Sequence, residues 1–216
     1  MKKLFLVLMV MVVIPFAGKA QTEKTAKTQE TAFFLGLNSG LDFDINAYKL
    51  DKNEIYGYTY YNQHPRYNIG FDMGLKVSKK LRTRIEMKFV NIKYGINYGP
   101  NIENTIVNLN YFDFNFHLDY LWLTKGKFQL FISPAVKYEY KIGEAIGGPN
   151  YSNIMDLRHP SSIGGAALSA IGKYNLSKHF GITFTPEYTF FFHGFATGNS
   201  KPYQRISTNL GVEFTF

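Results

Sequence analysis

Apolar and polar residues alternate with a period of two from residue 32 to the C-terminus, and no helical period replaces this pattern. The alternation predicts eight β-strands, at about residues 32–45, 66–78, 81–98, 105–123, 128–142, 162–174, 180–192 and 203–216. The sixth strand is rich in small residues (SIGGAALSAIGKY), so which of its faces is apolar stays open. Three short polar connections (SKK, TKGK and NLSKH) alternate with longer ones, as in up-and-down barrels that have both termini on the short-turn side.

The apolar faces of these strands indicate what surrounds them. In the seven strands with a clear phase, the apolar face carries no charged residue, whereas the opposite face is crowded with charged and polar residues. Eight strands enclose only a narrow space, so the many large apolar side chains cannot all point inward. An Arg or Lys facing lipid near the midplane would cost about 2–4 kcal/mol. The pattern therefore predicts an all-β fold, an eight-stranded antiparallel up-and-down transmembrane β-barrel with its charged residues inside.

Two kinds of irregularity interrupt the alternation. The apolar phase reverses after Phe89 in the third strand and after Tyr111 in the fourth. These strands form one hairpin, so we predict a bulge where this hairpin leaves the bilayer and extends beyond it. Pro134 and Pro186 lie inside strands, where proline is unusual, and we predict local bulges there too.

The N-terminus has the organisation of a secretory signal peptide. Lys2 and Lys3 precede an apolar run at residues 4–16, and the small residues Gly18 and Ala20 stand where a signal peptidase cleaves. The apolar run is too short for a membrane-spanning helix. The predicted organisation is a signal peptide at 1–20, a polar periplasmic leader at 21–31 and an outer-membrane β-barrel at 32–216.

Charge and composition narrow the expected partners. The 24 Lys and Arg against 16 Asp and Glu give a formal net charge of +8, and three of the lysines precede residue 21, so the exported chain carries +5. Because the basic residues are scattered in an exported protein, we expect no nucleic acid as partner, but outer-membrane lipids and the phosphates of lipopolysaccharide. The chain has no Cys, which excludes a lipoprotein anchor, disulfides and thiolate metal sites.

No pattern predicts a cofactor or a metal ion. Asp42, Asp44 and Asn46 have the alternate spacing of a calcium loop, but the Gly and the distal Glu of such a loop are missing. We interpret these residues as the inward-facing end of the first strand.

The inward face of the predicted barrel collects charges of both signs, and we expect them to form a lumen charge network. Its members are Arg82, Arg84, Glu86, Asp113, His117, Asp119, Lys137, Glu139, Glu187 and Arg205. Charges in so narrow an interior need partners, so we expect ion pairs that fill the lumen. A histidine beside carboxylates also allows a catalytic interpretation of His117. His193 is a second catalytic candidate, although the compact His-x-Ser-Asn motif of lipid A deacylases is absent there.

The C-terminus carries the most specific motif. Asn209, Gly211, Phe214 and the final Phe216 resemble the signal that barrel assembly machinery reads on a last strand. This motif predicts that the machinery is a partner during biogenesis.

Residues 35–43 (LGLNSGLDF) and 185–188 (TPEY) resemble the glycine-rich first strand and a Pro-Glu-x-x-Tyr strand of a known family. It is the outer-membrane β-barrel domain family common in Bacteroidetes, which includes PorT-like proteins. The resemblance implies an eight-stranded barrel of the OmpA type in the outer membrane. We expect a non-enzymatic protein with a structural, adhesive or envelope-complex role mediated by its extracellular loops, with a protein partner in the envelope. A lipid A-modifying enzyme and a narrow transport channel are the alternatives.

Overall fold

A computed structural model describes residues 32–45, 59–61, 66–97, 105–147, 161–193 and 202–216. The predicted signal peptide and leader lie outside the described residues. Nine strands follow one another: β1 (Phe33–Ile45), β2 (Thr59–Tyr61), β3 (Arg66–Lys76), β4 (Leu81–Asn97), β5 (Thr105–Lys125), β6 (Phe128–Gly147), β7 (Ser162–Asn175), β8 (Phe180–Phe191) and β9 (Gln204–Thr215). Within the described part of the chain, no helix has the length and apolar character needed to cross a membrane.

Eight of these strands close into one antiparallel barrel, as predicted. Each pairs with its neighbour in the order β1-β3-β4-β5-β6-β7-β8-β9, and β9 returns to β1. The closing seam runs without a break from Phe34↔Thr215 to Ile45↔Gln204. The short β2 pairs with the end of β4. It lies on the same edge of β4 as β3, beyond the end of the β3–β4 ladder, and so continues the line of β3.

Side chains alternate between an apolar outside and a polar inside. Outward residues such as Ile69 and Leu210 are each 63% exposed, while the inward Lys137 and Arg205 are buried. The sequence left open which face of β7 points outward. In the structure Leu168 points outward and Ile171 points inward. A continuous apolar exterior with a charged interior is stable in lipid and not in water.

The two strand prolines do not produce the predicted bulges. The register is the same before and after Pro134, and before and after Pro186, although pairing on one side of each is interrupted. Proline lacks only its own N–H, so it loses hydrogen bonds on one edge and pairs normally on the other. The bulges lie instead at Trp122 in β5 and at Ile142 in β6, where one residue has no counterpart across the β5–β6 ladder.

The reversal of apolar phase in β4 and β5 is not caused by a bulge within this hairpin, although the Ile142 bulge of β6 lies at the same height, opposite Asn110 and Tyr111. The β4–β5 register is unbroken from Leu81↔Tyr120 to Ile96↔Thr105. Past the reversal, the apolar Val90, Leu109 and Tyr111 simply point inward and are fully buried. Side chains still alternate between the inside and the outside, but past the reversal the apolar ones point inward and the polar ones outward.

This exchange marks the surface of the bilayer. Below it, Phe89 and Phe112 face outward as an exposed cross-strand pair. Above it, the outward positions are polar, and Asn91 donates a side-chain hydrogen bond of 2.6 Å to Asn110. A strand segment with apolar outward side chains is suited to contact with lipid. A segment with polar outward and apolar inward side chains is suited to contact with water. The end of the barrel with the long connections is here called the loop end, and the opposite end the turn end.

Among the described strands, those that rise beyond this surface lie on one side of the barrel. β4, β5 and β6 have 17, 21 and 20 residues, against 11 to 14 in the other barrel strands. At the loop end β4 continues for five residues beyond the level of Arg66 in β3, and β6 for seven beyond Ser162 in β7. At about 3.4 Å per residue and a tilt near 45°, these reach roughly 12–17 Å past the shorter strands. This extension consists of β4, β5 and β6, with β2 paired to the end of β4. The β4–β5 hairpin thus extends beyond the shorter strands, as predicted.

The turns at the opposite end are short and locally satisfied. Gly126 adopts φ 59°, a left-handed conformation that glycine tolerates best, and it allows β5 and β6 to join through two residues. The hydroxyls of Ser78 and Ser177 each accept two backbone N–H groups of their own turns, at 3.1–3.2 Å.

Candidate functional site

All ten residues of the predicted lumen charge network lie inside the barrel, each at most 6% exposed. The alternation of the strands puts them there, because each occupies an inward position of its strand. The structure arranges them in three groups that follow one another along the barrel axis, and Arg84 of the first group lies 3.5 Å from Glu86 of the second.

The first group surrounds two arginines near the turn end. The Arg82 guanidinium donates to Asp119 and to Glu213, each at 2.7 Å, and Arg84 donates to the same Asp119 oxygen at 3.3 Å. Lys173 forms a further ion pair with Glu213. Two anions thus share three cations, and no member of this group is left without a counter-charge.

Lys137 is the centre of the second group. Its ammonium lies 2.7 Å from Glu187 Oε1 and 3.1 Å from Asp113 Oδ2. Ser169 donates to the other Glu187 oxygen at 2.9 Å. Glu86 is 3.1 Å from Lys88 on its own strand and also accepts from Asn115 at 3.0 Å. These contacts bridge β4, β5, β6, β7 and β8 across the lumen.

The third group lies near the loop end. Arg205 forms an ion pair with Glu139 and donates from Nε to Asp44 at 3.0 Å. Arg66 pairs with the other oxygen of Asp44. Asp42 accepts from Asn68 at 2.8 Å. Asp42 and Asp44, considered above as calcium ligands, are therefore inward residues held by protein partners.

His117 sits in the middle of the lumen, fully buried. Its Nδ1 is 3.0 Å from Ser133 Oγ and its Nε2 is 3.3 Å from Glu86 Oε2. Ser133 donates its hydroxyl hydrogen to Asp119 at 2.5 Å. In a serine hydrolase that hydrogen points to the histidine, so this serine is not arranged as a nucleophile.

His193, the other catalytic candidate, is exposed just beyond β8. Residues 194–201 lie outside the described residues, so the neighbouring Ser200 cannot be placed beside it. His117 and His193 are not brought together, since one is in the middle of the lumen and the other at the loop-end rim.

Three of the lumen residues could offer ligand atoms to a metal ion. Atoms of Glu86, His117 and Glu187 lie within 4.8 Å of one another. Lys88 and Lys137 already supply positive charge to the two carboxylates. The donor set is therefore compensated by the protein itself and does not fit a metal centre.

Sequence reasoning missed part of this network. The additional buried charged residues are Arg66, Asp42, Asp72, Lys88, Lys173 and Glu213, with Asp44 beside them. Their positions could have identified these residues, because each occupies an inward position of its strand. Their partners could not be read in the same way, since most pairs join distant strands.

Sequence reasoning also missed the apolar layers that close both ends of the network. At the loop end the ring of Phe191 stacks on Tyr203 with centroids 4.2 Å apart, beside the inward Val90, Leu109 and Tyr111. At the turn end the rings of Phe34 and Phe131 lie 4.6 and 4.1 Å from the Arg82 guanidinium carbon and sandwich it. A lumen cavity between these layers measures about 20 Å³, room for about one water molecule.

The four residues of the C-terminal motif lie on β9 or directly after it. Asn209 is buried in the lumen, and Gly211 lies where an added Cβ would be 2.7 Å from the Leu37 carbonyl oxygen. Phe214 and Phe216 are exposed on the outside and pack edge to face, with centroids 4.9 Å apart. The aromatic pair is therefore displayed at the barrel seam, and its role as an assembly signal stays a prediction.

No protein-family model matches the chain, and no curated protein matches it. Solved structures do match. The outer membrane protein OprG from Pseudomonas aeruginosa has a TM-score of 0.62 and 15% identity, over 86% of this chain and 96% of OprG. Neisserial surface protein A has a TM-score of 0.55 and 9% identity, over 87% of this chain and 100% of the other. The likeness establishes the fold of an outer-membrane β-barrel and not an activity. The resemblance to the Bacteroidetes family stays a prediction.

Proposed function

We propose that this chain is a non-enzymatic outer-membrane protein, and that its work is done by the extension of β2, β4, β5 and β6 at the loop end. The role is structural, adhesive or that of a subunit in an envelope complex. In this proposal the turn end faces the periplasm and the extension faces the cell exterior.

The observation that carries the proposal is the filled lumen. A conducting pathway needs a continuous polar channel, but the ion-paired core lies between two apolar layers, and Lys137, Glu139 and Arg205 are each at most 1% exposed. A lumen enzyme needs access for substrate to His117, which is fully buried. The surfaces left for function are the rim and the extension.

The extension has the construction of a recognition surface on a rigid support. Its ladders continue those of the barrel without a break on the β4–β5 side, so its orientation is fixed by the membrane-embedded part. The described outward residues of its β4 and β5 strands are polar, including the hydrogen-bonded Asn91 and Asn110 and the exposed Lys93. Rigid strands that carry polar side chains into water can bind a partner without first becoming ordered.

A shortened hairpin tests this proposal. In a deletion strain, a variant whose β4–β5 hairpin ends in a tight turn after the Asn91/Asn110 pair is compared with the full chain for detergent resistance, adherence and co-purifying envelope proteins. We expect the variant to assemble, with the heat-dependent gel mobility of a folded barrel, but not to restore the defects of the deletion strain. Full restoration would place the function elsewhere.

The lipid A-modifying alternative has a direct test. The candidate residue is His193, because it is exposed at the rim. The proposal predicts the same lipid A acylation pattern, by mass spectrometry, in the deletion strain, in the His193→Ala strain and in the parent. A pattern that changes in both mutants would replace the proposal with an enzyme.

A further inference from the structure

A groove runs along the lipid-facing surface at the turn end. Its floor is made by Ala170 and Gly172 of β7, which point outward, and its volume is about 350 Å³. Phe128 and Leu130 of β6 form one wall, and Ile182, Phe184 and Pro186 of β8 form the other. The register explains the shape, because Leu130 and Phe184 flank Gly172 on opposite strands.

The groove lies within one leaflet of a bilayer. Its lining on β7 runs from Ala170 to Tyr174, and Tyr174 marks its turn end. Four residues of a strand cover about 13 Å, and a tilt near 45° converts this to roughly 9 Å of depth. Half of a hydrocarbon core is about 15 Å thick, so the groove can hold the headgroup-proximal part of one acyl chain.

Three lysines stand at the open end of the groove. Lys125 is the last residue of β5, Lys127 belongs to the β5–β6 turn, and Lys178 belongs to the β7–β8 turn. The two turns touch, because the Lys127 carbonyl accepts hydrogen bonds from the backbone and side-chain N–H groups of Asn175, at 2.9 and 3.2 Å. The three lysines are exposed, and none has an ion-pair partner within the described residues.

We propose that this groove binds an anionic phospholipid, with an acyl chain along the floor of β7 and the phosphate on Lys125, Lys127 and Lys178. An apolar groove within one leaflet and a cationic mouth at its turn end together match a lipid with an anionic headgroup. The site is independent of the extension at the loop end.

A second copy of the chain fits the groove less well. Phe128 and Phe184 rise on either side of the floor, so a second barrel could not bring its backbone close to Gly172. Two copies in one membrane also share an orientation, which would place their lysine-bearing turns side by side. Like charges at that distance oppose pairing.

Native mass spectrometry tests the proposal. The folded, full-length mature barrel is released from micelles that contain equal amounts of phosphatidylglycerol and phosphatidylethanolamine with the same acyl chains. We expect one retained phospholipid, with phosphatidylglycerol preferred. The Lys125→Gln/Lys127→Gln/Lys178→Gln variant should lose at least about fivefold of this preference, which corresponds to one lysine's contact with an anionic lipid surface. Lys79→Gln/Lys80→Gln, in the turn before β4, should keep it.

Filling the groove tests the acyl-chain part separately. A Cβ at Gly172 would lie 3.5 Å from the Phe128 ring, an ordinary contact, so the backbone tolerates a side chain there. Ala170→Leu with Gly172→Ala should abolish retention of both lipids, while Ala166→Leu, outward on the same strand, should not. Heat-dependent gel mobility confirms that each variant is folded.

Three results would overturn the proposal: no retained phospholipid on the parent barrel, retention indifferent to the lysine substitutions, or a dimer that the groove-filling substitutions dissociate. The last result would assign the groove to a second copy.

Discussion

Replacing Lys137 with methionine removes the ammonium that bridges Asp113 and Glu187 and leaves the length of the side chain nearly unchanged. Both carboxylates are at most 1% exposed, so neither can recover its lost partner from water. Breaking a buried ion pair by removing one partner costs about 3–5 kcal/mol. We therefore expect Lys137→Met to lower the free energy of unfolding by about this amount.

The assay is urea unfolding of the barrel folded in lipid vesicles, followed by fluorescence. Trp122 is the only tryptophan of the chain and is 68% exposed on the outside of β5, so unfolding moves it from lipid to water. Lys141→Met, on the same strand, is the matched control. Lys141 pairs with Glu144 at a site where both side chains are 20–25% exposed, and such pairs contribute about 0–1 kcal/mol.

A compensating variant separates charge from packing. If the loss in Lys137→Met comes from two uncompensated carboxylates, Asp113→Asn and Glu187→Gln in the same chain should restore most of the stability. A loss below about 1 kcal/mol in Lys137→Met, or no recovery in the triple variant, would refute the reasoning that ion pairs hold the lumen together.

Three further predictions concern the membrane boundary, a turn and the C-terminus. Met87→Arg should destabilise the folded barrel by about 2–4 kcal/mol, because residue 87 faces lipid. Asn91→Arg should cost about 0–1 kcal/mol, because residue 91 lies beyond the apolar band. Equal losses of unfolding free energy in vesicles would contradict this boundary. Gly126→Val should cost about 1–2 kcal/mol through its positive φ, and an unchanged urea midpoint would exclude that strain. Deleting Phe216 should lower the amount of assembled barrel without changing export, as seen by gel mobility and fractionation, and normal assembly would count against a targeting role.

Much of the fold could be predicted from the sequence, because lipid imposes a strict chemical alternation. A charged residue cannot face the hydrocarbon, so residues such as Asp113 and Lys137 had to point inward. The same rule placed Phe112 and Phe114 outside. The eight barrel strands followed, since the polar turns interrupt the pattern, whereas the short β2 and the continuation of β6 to Gly147 were not predicted.

The details that could not be predicted depend on three-dimensional closure. Lys137 and Glu187 are 50 residues apart, and their contact depends on how the strands are staggered around the barrel. The inward position of Val90 and Tyr111 was mistaken for a bulge, because the alternation alone does not show where the strands leave the bilayer. Pro134 was predicted to disturb the register, but one lost hydrogen bond is too small an effect to shift a closed ladder.

The central claim is that the lumen is closed by paired charges between two apolar layers, so that function lies at the surface. Conductance of the purified, folded barrel in a planar lipid bilayer tests it most directly. We expect no discrete openings at physiological salt and moderate voltage, because Lys137, Glu139 and Arg205 leave no continuous water path. Reproducible single-channel openings from the folded protein would contradict the claim and make the chain a channel.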